Sequence, residues 1–257
     1  MVNKVSIQHL GQTGLKIDLG SLTVLVDPYL SNSVEELEAP DLVRQVPIPY
    51  QPHELTNIDW VLITHEHMDH CDPHTVPVLA KVSPSSQFVG PRSVREQLLK
   101  WGIQNSRIHT IPINNIELGD GLYVRCVAAA HPTICHDEYG LPQSVGYMFS
   151  YNDRVLYVAG DTSVCDEMIE ILKALPPIDV ALLPVNEDNF FRRRRGIVGN
   201  MSVREAFELA REVKIKEVIP VHWDMFACNS TSQGEIMGVY NSIDWPFELG
   251  SVASIKL

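Results

Sequence analysis

The chain has 257 residues, 45% of them hydrophobic and 20% charged, so it can bury a full core without disulfides or a partner, which excludes a disordered tail and a disulfide miniprotein. With 20 Lys and Arg against 32 Asp and Glu the formal charge is −12, which repels a phosphate backbone and excludes a general nucleic-acid binder. The opening Met-Val-Asn-Lys lacks a basic stretch followed by an apolar one, and no apolar run has the length of a bilayer span. The expectation is a soluble, cytoplasmic protein without membrane contact. Five cysteines (Cys71, Cys126, Cys135, Cys165, Cys228) with no C-x-x-C spacing fit reduced thiols.

In chain order, the first elements are short alternating strands. Val5, Ile7 and His9 share a face, followed by Leu15 and Ile17, then Leu22, Val24 and Val26, with Gly11, Gly14 and Gly20 between, which predicts an antiparallel meander. The apolar runs Trp60 to Ile63, Val155 to Val158 and Val180 to Leu183 then alternate with helical segments, as in a sheet with helices packed on it. Three Ser-x-x-Glu patterns, Ser93 with Glu96, Ser202 with Glu205 and Ser232 with Glu235, read as capping boxes that satisfy free backbone N–H groups at helix starts. After Ser202, Val203, Phe207, Ala210 and Val213 form an apolar stripe for a sheet face.

A weak internal echo links the two halves. Leu22 to Asp27 and Arg154 to Asp161 are strands of buried type that end in Asp, and each is followed by a strand entered from Asp (Asp59-Trp60 and Asp179-Val180). This hints at two similar halves with their helices outside, a four-layer αββα sandwich within a single domain, 1–257. Strands often end in Asp, so the echo taken alone divides evenly between that reading and coincidence.

Thr64-His65-Glu66-His67-Met68-Asp69-His70 directly follows the strand Trp60 to Ile63, so its side chains emerge where a sheet ends, the usual place for a ligand. A lone histidine is usually structural, but three imidazoles and a carboxylate within a few residues would each need a buried partner in a core. H-x-H-x-D-H instead suits Zn²⁺, and Mn²⁺ or Fe²⁺ would accept the same donors. The metal hypothesis requires further ligands at later strand ends. His131 follows the strand Tyr123 to Val127, Asp161 closes Arg154 to Val158, and His222 follows Val218 to Val221.

In that order these residues, with Gly160-Asp161-Thr162 and Pro220-Val221-His222, resemble the metallo-β-lactamase superfamily over nearly the whole chain. The resemblance implies an α/β fold, the αββα sandwich, with two divalent metal ions, Mn or Zn. His65, His67 and His131 would hold one, Asp69, His70 and His222 the other, and Asp161 would bridge them. Within the superfamily, Phe88-Val89-Gly90-Pro91, Trp101-Gly102, Ile178 to Leu182 and Ile219 to Asp224 are similar to segments of the L-ascorbate-6-phosphate lactonase family. The segment His131 to Gly140 departs from that family's pattern, and the chain is shorter towards its C-terminus.

The chemistry expected is hydrolysis of a lactone, L-ascorbate 6-phosphate or a similar sugar phosphate, by a hydroxide shared between the metals. Asp161 bridges, Asp69 is the candidate proton carrier as well as a ligand, and Asp27 is a candidate to hold a ligand imidazole in one tautomer, with an ordinary turn as its plain alternative. The run Arg192 to Arg195, on the loop after Val185 with Asn186, offers guanidinium forks for a phosphate. Arg192, Arg194, His136 and Asn186 are the expected substrate contacts, against a surface or subunit contact for the arginines. Cys71 and Cys135 read as spectators, His9, His53, His74 and His109 as packing or surface residues, and Trp223 and Phe226 as core, with the wall of the substrate pocket as their alternative. The expected partner is a small phosphorylated sugar, and the chain is expected to form a homo-oligomer. The alternatives are a phosphodiesterase on the same metals and a metal-binding regulatory module without turnover.

Overall fold

The computed structural model describes residues 5–112 and 114–255. The expected meander is β1 (Val5–Gly11), β2 (Gly14–Leu19) and β3 (Leu22–Val26). After the short helix α1 (Ser33–Leu37) come β4 (Trp60–Leu62), α2 (Val76–Val82), β5 (Gln87–Gly90), α3 (Arg92–Lys100) and β6 (Ile108–Thr110). These strands form one six-stranded sheet in sequence order, antiparallel through β3 and parallel from β3 to β6. The second half contributes β7 (Ile116–Gly119), β8 (Leu122–Ala128), β9 (Val145–Tyr151), β10 (Arg154–Val158), α4 (Asp166–Lys173), β11 (Val180–Pro184), α5 (Phe190–Arg193), α6 (Val203–Val213), β12 (Glu217–Val221), α7 (Gln233–Tyr240) and β13 (Glu248–Leu249). Its seven-stranded sheet runs β13-β12-β11-β10-β9-β8-β7, parallel from β10 to β13.

The unbroken apolar runs are explained by burial on both faces. Successive side chains of a strand point to opposite sides. Val24, Val26 and Leu62 therefore meet Leu156, Val158, Val180 and Leu182 between the sheets, whereas Leu25, Val61 and Ile63 face Val76, Leu79, Val94 and Leu98 of α2 and α3. Tyr157, Ala181 and Leu183 likewise face Met168 and Leu172 of α4 and Phe207 and Ala210 of α6. The layers are thus helix, sheet, sheet, helix.

The echo between the halves is a repeated hydrogen-bond pattern. Thr23 donates its N–H to Asp59 Oδ2 at 2.8 Å while Asp59 N–H donates to Thr23 O at 3.0 Å, and Val155 and Asp179 repeat both bonds at 2.8 and 3.0 Å. Each Asp thus ties the start of one parallel strand to its neighbour, β3 to β4 and β10 to β11.

Ser202 caps α6 as expected: its Oγ accepts from Glu205 N–H at 3.2 Å, and Glu205 Oε2 accepts from Ser202 N–H at 2.8 Å. Ser232 Oγ also accepts from Glu235 N–H at 3.1 Å. Ser93 differs from its expectation. Pro91 is the residue that starts α3, Ser93 lies within the first turn, and its hydroxyl donates to Glu66 Oε2 at 2.7 Å.

Candidate metal centre

All seven expected ligands follow the carboxyl ends of strands that run in one direction within their sheets. His65, His67, Asp69 and His70 follow β4, Asp161 follows β10 and His222 follows β12; His131 follows β8, which runs with β10 because both are antiparallel to β9. The fold brings all seven together. The ligand-type atoms of His65, His67 and His131 lie within 4.8 Å of one another, as do those of Asp69, His70 and His222, and those of His65, His70 and Asp161. His70 Nε2 and His222 Nε2 approach Asp161 Oδ1 at 3.3 and 3.2 Å, His131 Nε2 is 3.7 Å from Asp161 Oδ2, and His222 Nε2 is 3.4 Å from Asp69 Oδ2.

Within the cluster, His65 Nε2, His70 Nε2, His222 Nε2 and Asp161 Oδ1 are buried and make no hydrogen bond. Buried polar atoms are ordinarily satisfied, so so many unsatisfied lone-pair positions facing one another fit bound cations. Five imidazoles and two carboxylates are a nitrogen and oxygen donor set suited to Zn²⁺ or Mn²⁺.

Asp27 organises two of the imidazoles. It is fully buried with a left-handed backbone (φ 40°), and Oδ2 accepts from Thr13 Oγ1 at 2.9 Å, Thr64 Oγ1 at 2.7 Å and His70 Nδ1 at 2.8 Å. Its Oδ1 accepts from Thr64 N–H at 2.8 Å. A carboxylate only accepts, so His70 in its neutral, ligating form carries its proton on Nδ1 and presents Nε2 as a lone pair. The single hydroxyl proton of Thr64 goes to Asp27, so Thr64 Oγ1 accepts from His65 Nδ1 at 3.0 Å and fixes the same tautomer there. Gly160 (φ +64°) packs against this threonine: a Cβ there would lie 2.8 Å from Thr64 Cγ2.

Gln12 is a site residue that sequence reasoning missed. It occupies the hairpin between β1 and β2, fully buried with φ 53°, and donates from Nε2 to Asp69 Oδ2 at 2.6 Å, while its carbonyl accepts from His222 N–H at 3.2 Å. His222 is itself left-handed (φ 58°). Three non-glycine residues in that region at one site are a concentration of strain held by hydrogen bonds. His9, which precedes Gln12, places Nε2 3.0 Å from the Gln12 carbonyl and so supports the hairpin.

Burial disfavours a charge on either His70 or Asp161, but the pull of the opposite charges prevails. The carboxylates of Asp161 and Asp69 hold His70 well above the usual histidine range and also raise His222. The same imidazoles hold Asp69 and Asp161 below the carboxylate range against their burial. Burial and the neighbouring imidazoles lower His65, and burial brings His131 down to about 4. Burial pushes the Cys71 thiol up, which removes it as a nucleophile.

None of the four expected substrate contacts is in the lining of the cavity at the cluster. Arg192 is buried, and its guanidinium donates to the carbonyls of Asn186, Glu187 and Ser230, the last two at 2.6 Å, so it clamps the loop from inside. Asn186 is fully buried between Asn200 and Asn229, at 2.8 and 3.2 Å. Arg194 lies over the Phe190 ring at 5.7 Å, outside the lining of the cavity, and His136 is exposed in a bridge with Pro142. Phe226 is core, packed 6.2 Å from the Tyr29 ring centroid, and also reaches the cavity; Trp223 is half-buried against the outer face of the second sheet. The cavity onto which the cluster opens has a volume of about 250 Å³, and its lining includes His67, Asp69, Asp161, His222, Phe226 and Arg195. A groove of about 610 Å³ beside β12 and β13 is larger but is lined by none of the seven cluster residues.

Two facing sheets with helices outside, and a His/Asp cluster where their strand ends meet, define the metallo-β-lactamase fold class. The chain belongs to the beta-lactamase superfamily domain family, whose sequence profile matches residues 23–223. It is 28% identical to a metal-dependent hydrolase of Pyrobaculum islandicum, over 86% of this chain and 85% of that protein. It is 23% identical to N-acyl-phosphatidylethanolamine-hydrolyzing phospholipase D 1 of Caenorhabditis elegans, over 86% of this chain and 64% of that one. Among solved structures, an isothiocyanate hydrolase from Delia radicum gut bacteria superposes with a TM-score of 0.71 at 16% identity, covering 96% of this chain and 97% of that one. Among the described residues no helix is long and apolar enough to cross a membrane.

Proposed function

We propose that this protein is a metal-dependent hydrolase that opens a small phosphorylated lactone, with L-ascorbate 6-phosphate as the first candidate. The observation that carries this reading is the buried cluster of unsatisfied imidazole and carboxylate atoms beneath a cavity of about 250 Å³. His65, His67 and His131 would hold one divalent cation and Asp69, His70 and His222 a second, with Asp161 between them. Such cations, when bound, supply Lewis acidity and a water made acidic enough to act as a nucleophile near neutral pH.

The protein side of the reaction follows from the contacts. Asp69 Oδ2 is engaged by Gln12 and faces His222, so Oδ1 is the oxygen left to take a proton and return it to the departing ring oxygen. Gln12 keeps that carboxylate oriented, and Asp27 keeps the His65 and His70 lone pairs aimed inward. Val34, Leu42, Ile197, Val198 and Phe226 line the cavity and exclude water from the bound substrate. Its volume of about 250 Å³ is on the scale of a small polar ligand such as a sugar phosphate. The matching segments of the lactonase family support the same substrate class, and action on it in the cytoplasm by a homo-oligomer belongs to the same proposal.

The likeness to a phospholipase D favours one second reading, phosphodiester hydrolysis at the same cluster. The test is a panel of lactones and phosphodiesters given to protein reconstituted with Zn²⁺ or Mn²⁺, with Asp161→Asn as control. Turnover of a sugar-phosphate lactone that the variant abolishes is the expected result. Cleavage of phosphodiesters alone would transfer the assignment to the second reading, and metal binding without hydrolysis of either would leave a regulatory module.

A further inference from the structure

Among the lining residues of the cluster's cavity there is one arginine and no lysine, and the arginine is neither of the two that the sequence singled out. It is Arg195, and the fold holds it there from behind. The buried guanidinium of Arg192 fastens the loop to three carbonyls. The Arg192 carbonyl then accepts from the N–H groups of Arg195 and Ile197 at 2.9 and 3.1 Å. Gly196, at φ +75°, turns the chain so that Arg195, Gly196, Ile197 and Val198 run along the cavity.

The Arg195 side chain is 47% exposed and paired with Asp41, which is 60% exposed. Asp41 adjoins Leu42 in the segment after α1, and Leu42, with Val34 of α1, Glu38 and Ala39, forms another part of the cavity lining. The pair therefore joins two segments of the lining next to the metal cluster. An exposed ion pair of this kind contributes little to folding, so its carboxylate can be exchanged for another anion at small cost. A guanidinium in a partly enclosed cavity is well matched to the oxygens of a phosphate, which it can take with two parallel hydrogen bonds.

We propose that Arg195 is the specificity-determining residue of this site: it takes the phosphate of the substrate, and Asp41 occupies its guanidinium until that phosphate arrives. This rests on the reading of the protein as a hydrolase of a phosphorylated lactone, and it adds the group that separates phosphorylated from neutral substrates. Asp41 acts as an internal competitor, so removing its charge tightens binding of the phosphorylated substrate.

The test compares one lactone in its phosphorylated and unphosphorylated forms, using metal-reconstituted full-length protein, and reads the ratio of the two kcat/KM values. In Arg195→Met the ratio falls 10- to 100-fold through a higher KM for the phosphorylated form. Arg195→Lys, which keeps the charge but loses the fork, falls between. Asp41→Asn raises the ratio 2- to 5-fold. Arg193→Met is the control for net charge, because Arg193 pairs with Asp188 outside the cavity lining, and it leaves the ratio as in wild type. A ratio in Arg195→Met within 2-fold of wild type, or an equal fall in Arg193→Met, overturns the assignment while the lactonase reading stands. A lower ratio in Asp41→Asn overturns the competitor role. If wild-type protein hydrolyses neither lactone, the lactonase reading itself fails and the phosphate assignment fails with it.

Discussion

An Asp27→Asn substitution keeps the shape of a fully buried side chain and replaces one of its two acceptor oxygens by an NH₂ donor. The amide can be placed in two ways. With NH₂ at the Oδ1 position it would face the N–H of Thr64, a backbone donor that cannot change its protonation. With NH₂ at the Oδ2 position it faces the two threonine hydroxyls, which can turn to accept, and His70 Nδ1, which must give up its proton. The second placement wins, and the His70 proton moves to Nε2, the atom that approaches Asp161 and Asp69. Once Thr64 Oγ1 no longer has a carboxylate to donate to, the tautomer of His65 is released as well.

Loss of such an orienting partner lowers metal affinity about 10- to 100-fold, or about 1.4–2.7 kcal/mol. The loss of one charge-assisted hydrogen bond, roughly 1.5–3 kcal/mol, leads to the same range. Competition of the protein with a chromophoric Zn²⁺ chelator would measure the affinity, and long-range ¹H–¹⁵N NMR of the imidazoles the tautomers. Thr64→Val should weaken only the His65 side, and Thr64→Ser should leave both sides close to wild type. Two equivalents of Zn²⁺ held by Asp27→Asn within 2-fold of the wild-type affinity, with His70 still protonated at Nδ1, would refute the argument.

Arg192→Met should lower stability to urea by roughly 2–4 kcal/mol, because three carbonyls lose their donor; a higher KM at unchanged stability would restore a ligand-binding role. Gly160→Ala, with a left-handed backbone and a Cβ placed 2.8 Å from Thr64 Cγ2, should cost about 2 kcal/mol or more and weaken metal binding; a thermal midpoint equal to wild type would contradict this. Ser202→Ala should cost about 1 kcal/mol by loss of the α6 cap, whereas Ser93→Ala should stay within about 0.5 kcal/mol; equal effects in chemical denaturation would mean that Ser93 is also a cap. Burial would raise the Asp179 carboxyl, yet Lys216 and the Val155 N–H hold it below the usual range. The unfolded chain therefore binds this proton first, and the stabilisation present above about pH 4 is lost as pH falls through the folded value. Asp179→Asn should be less stable than wild type at pH 7, with the gap closing at pH 3; a gap that stays constant in thermal melts would disprove the ion pair's part in it.

What the sequence made legible was whatever local pattern encodes. The H-x-H-x-D-H run and the later His and Asp residues each follow an apolar strand, and strands that run parallel put their carboxyl ends on one edge. The strands entered from Asp59 and Asp179 were visible as a weak repeat, and the fold shows that each Asp bonds to the neighbouring strand, β3 or β10. Ser93 shows where a local pattern misleads. Ser-x-x-Glu marks a helix start only if the chain turns into the helix at that serine, and Pro91 starts α3 two residues earlier.

Gln12 and Arg192 were illegible for a different reason. Both satisfy partners far away in the chain, Asp69 at a separation of 57 residues and the Ser230 carbonyl at 38, and no spacing rule reaches that far. A glutamine in a hairpin and an arginine in a run of four are ordinary surface residues by composition, and only the fold shows that both point inward. Composition identified the arginine loop as unusual for an acidic chain, but not which guanidinium serves the loop and which faces the cavity. That division depends on one turn: Arg192 is anchored inward, and the hydrogen bonds its carbonyl accepts place Arg195, three residues later, at the cavity. Substituting Arg192 should therefore disturb the position of Arg195, whereas substituting Arg195 should leave the loop intact. Stability and substrate selectivity should separate between two arginines that the sequence presents as equivalent.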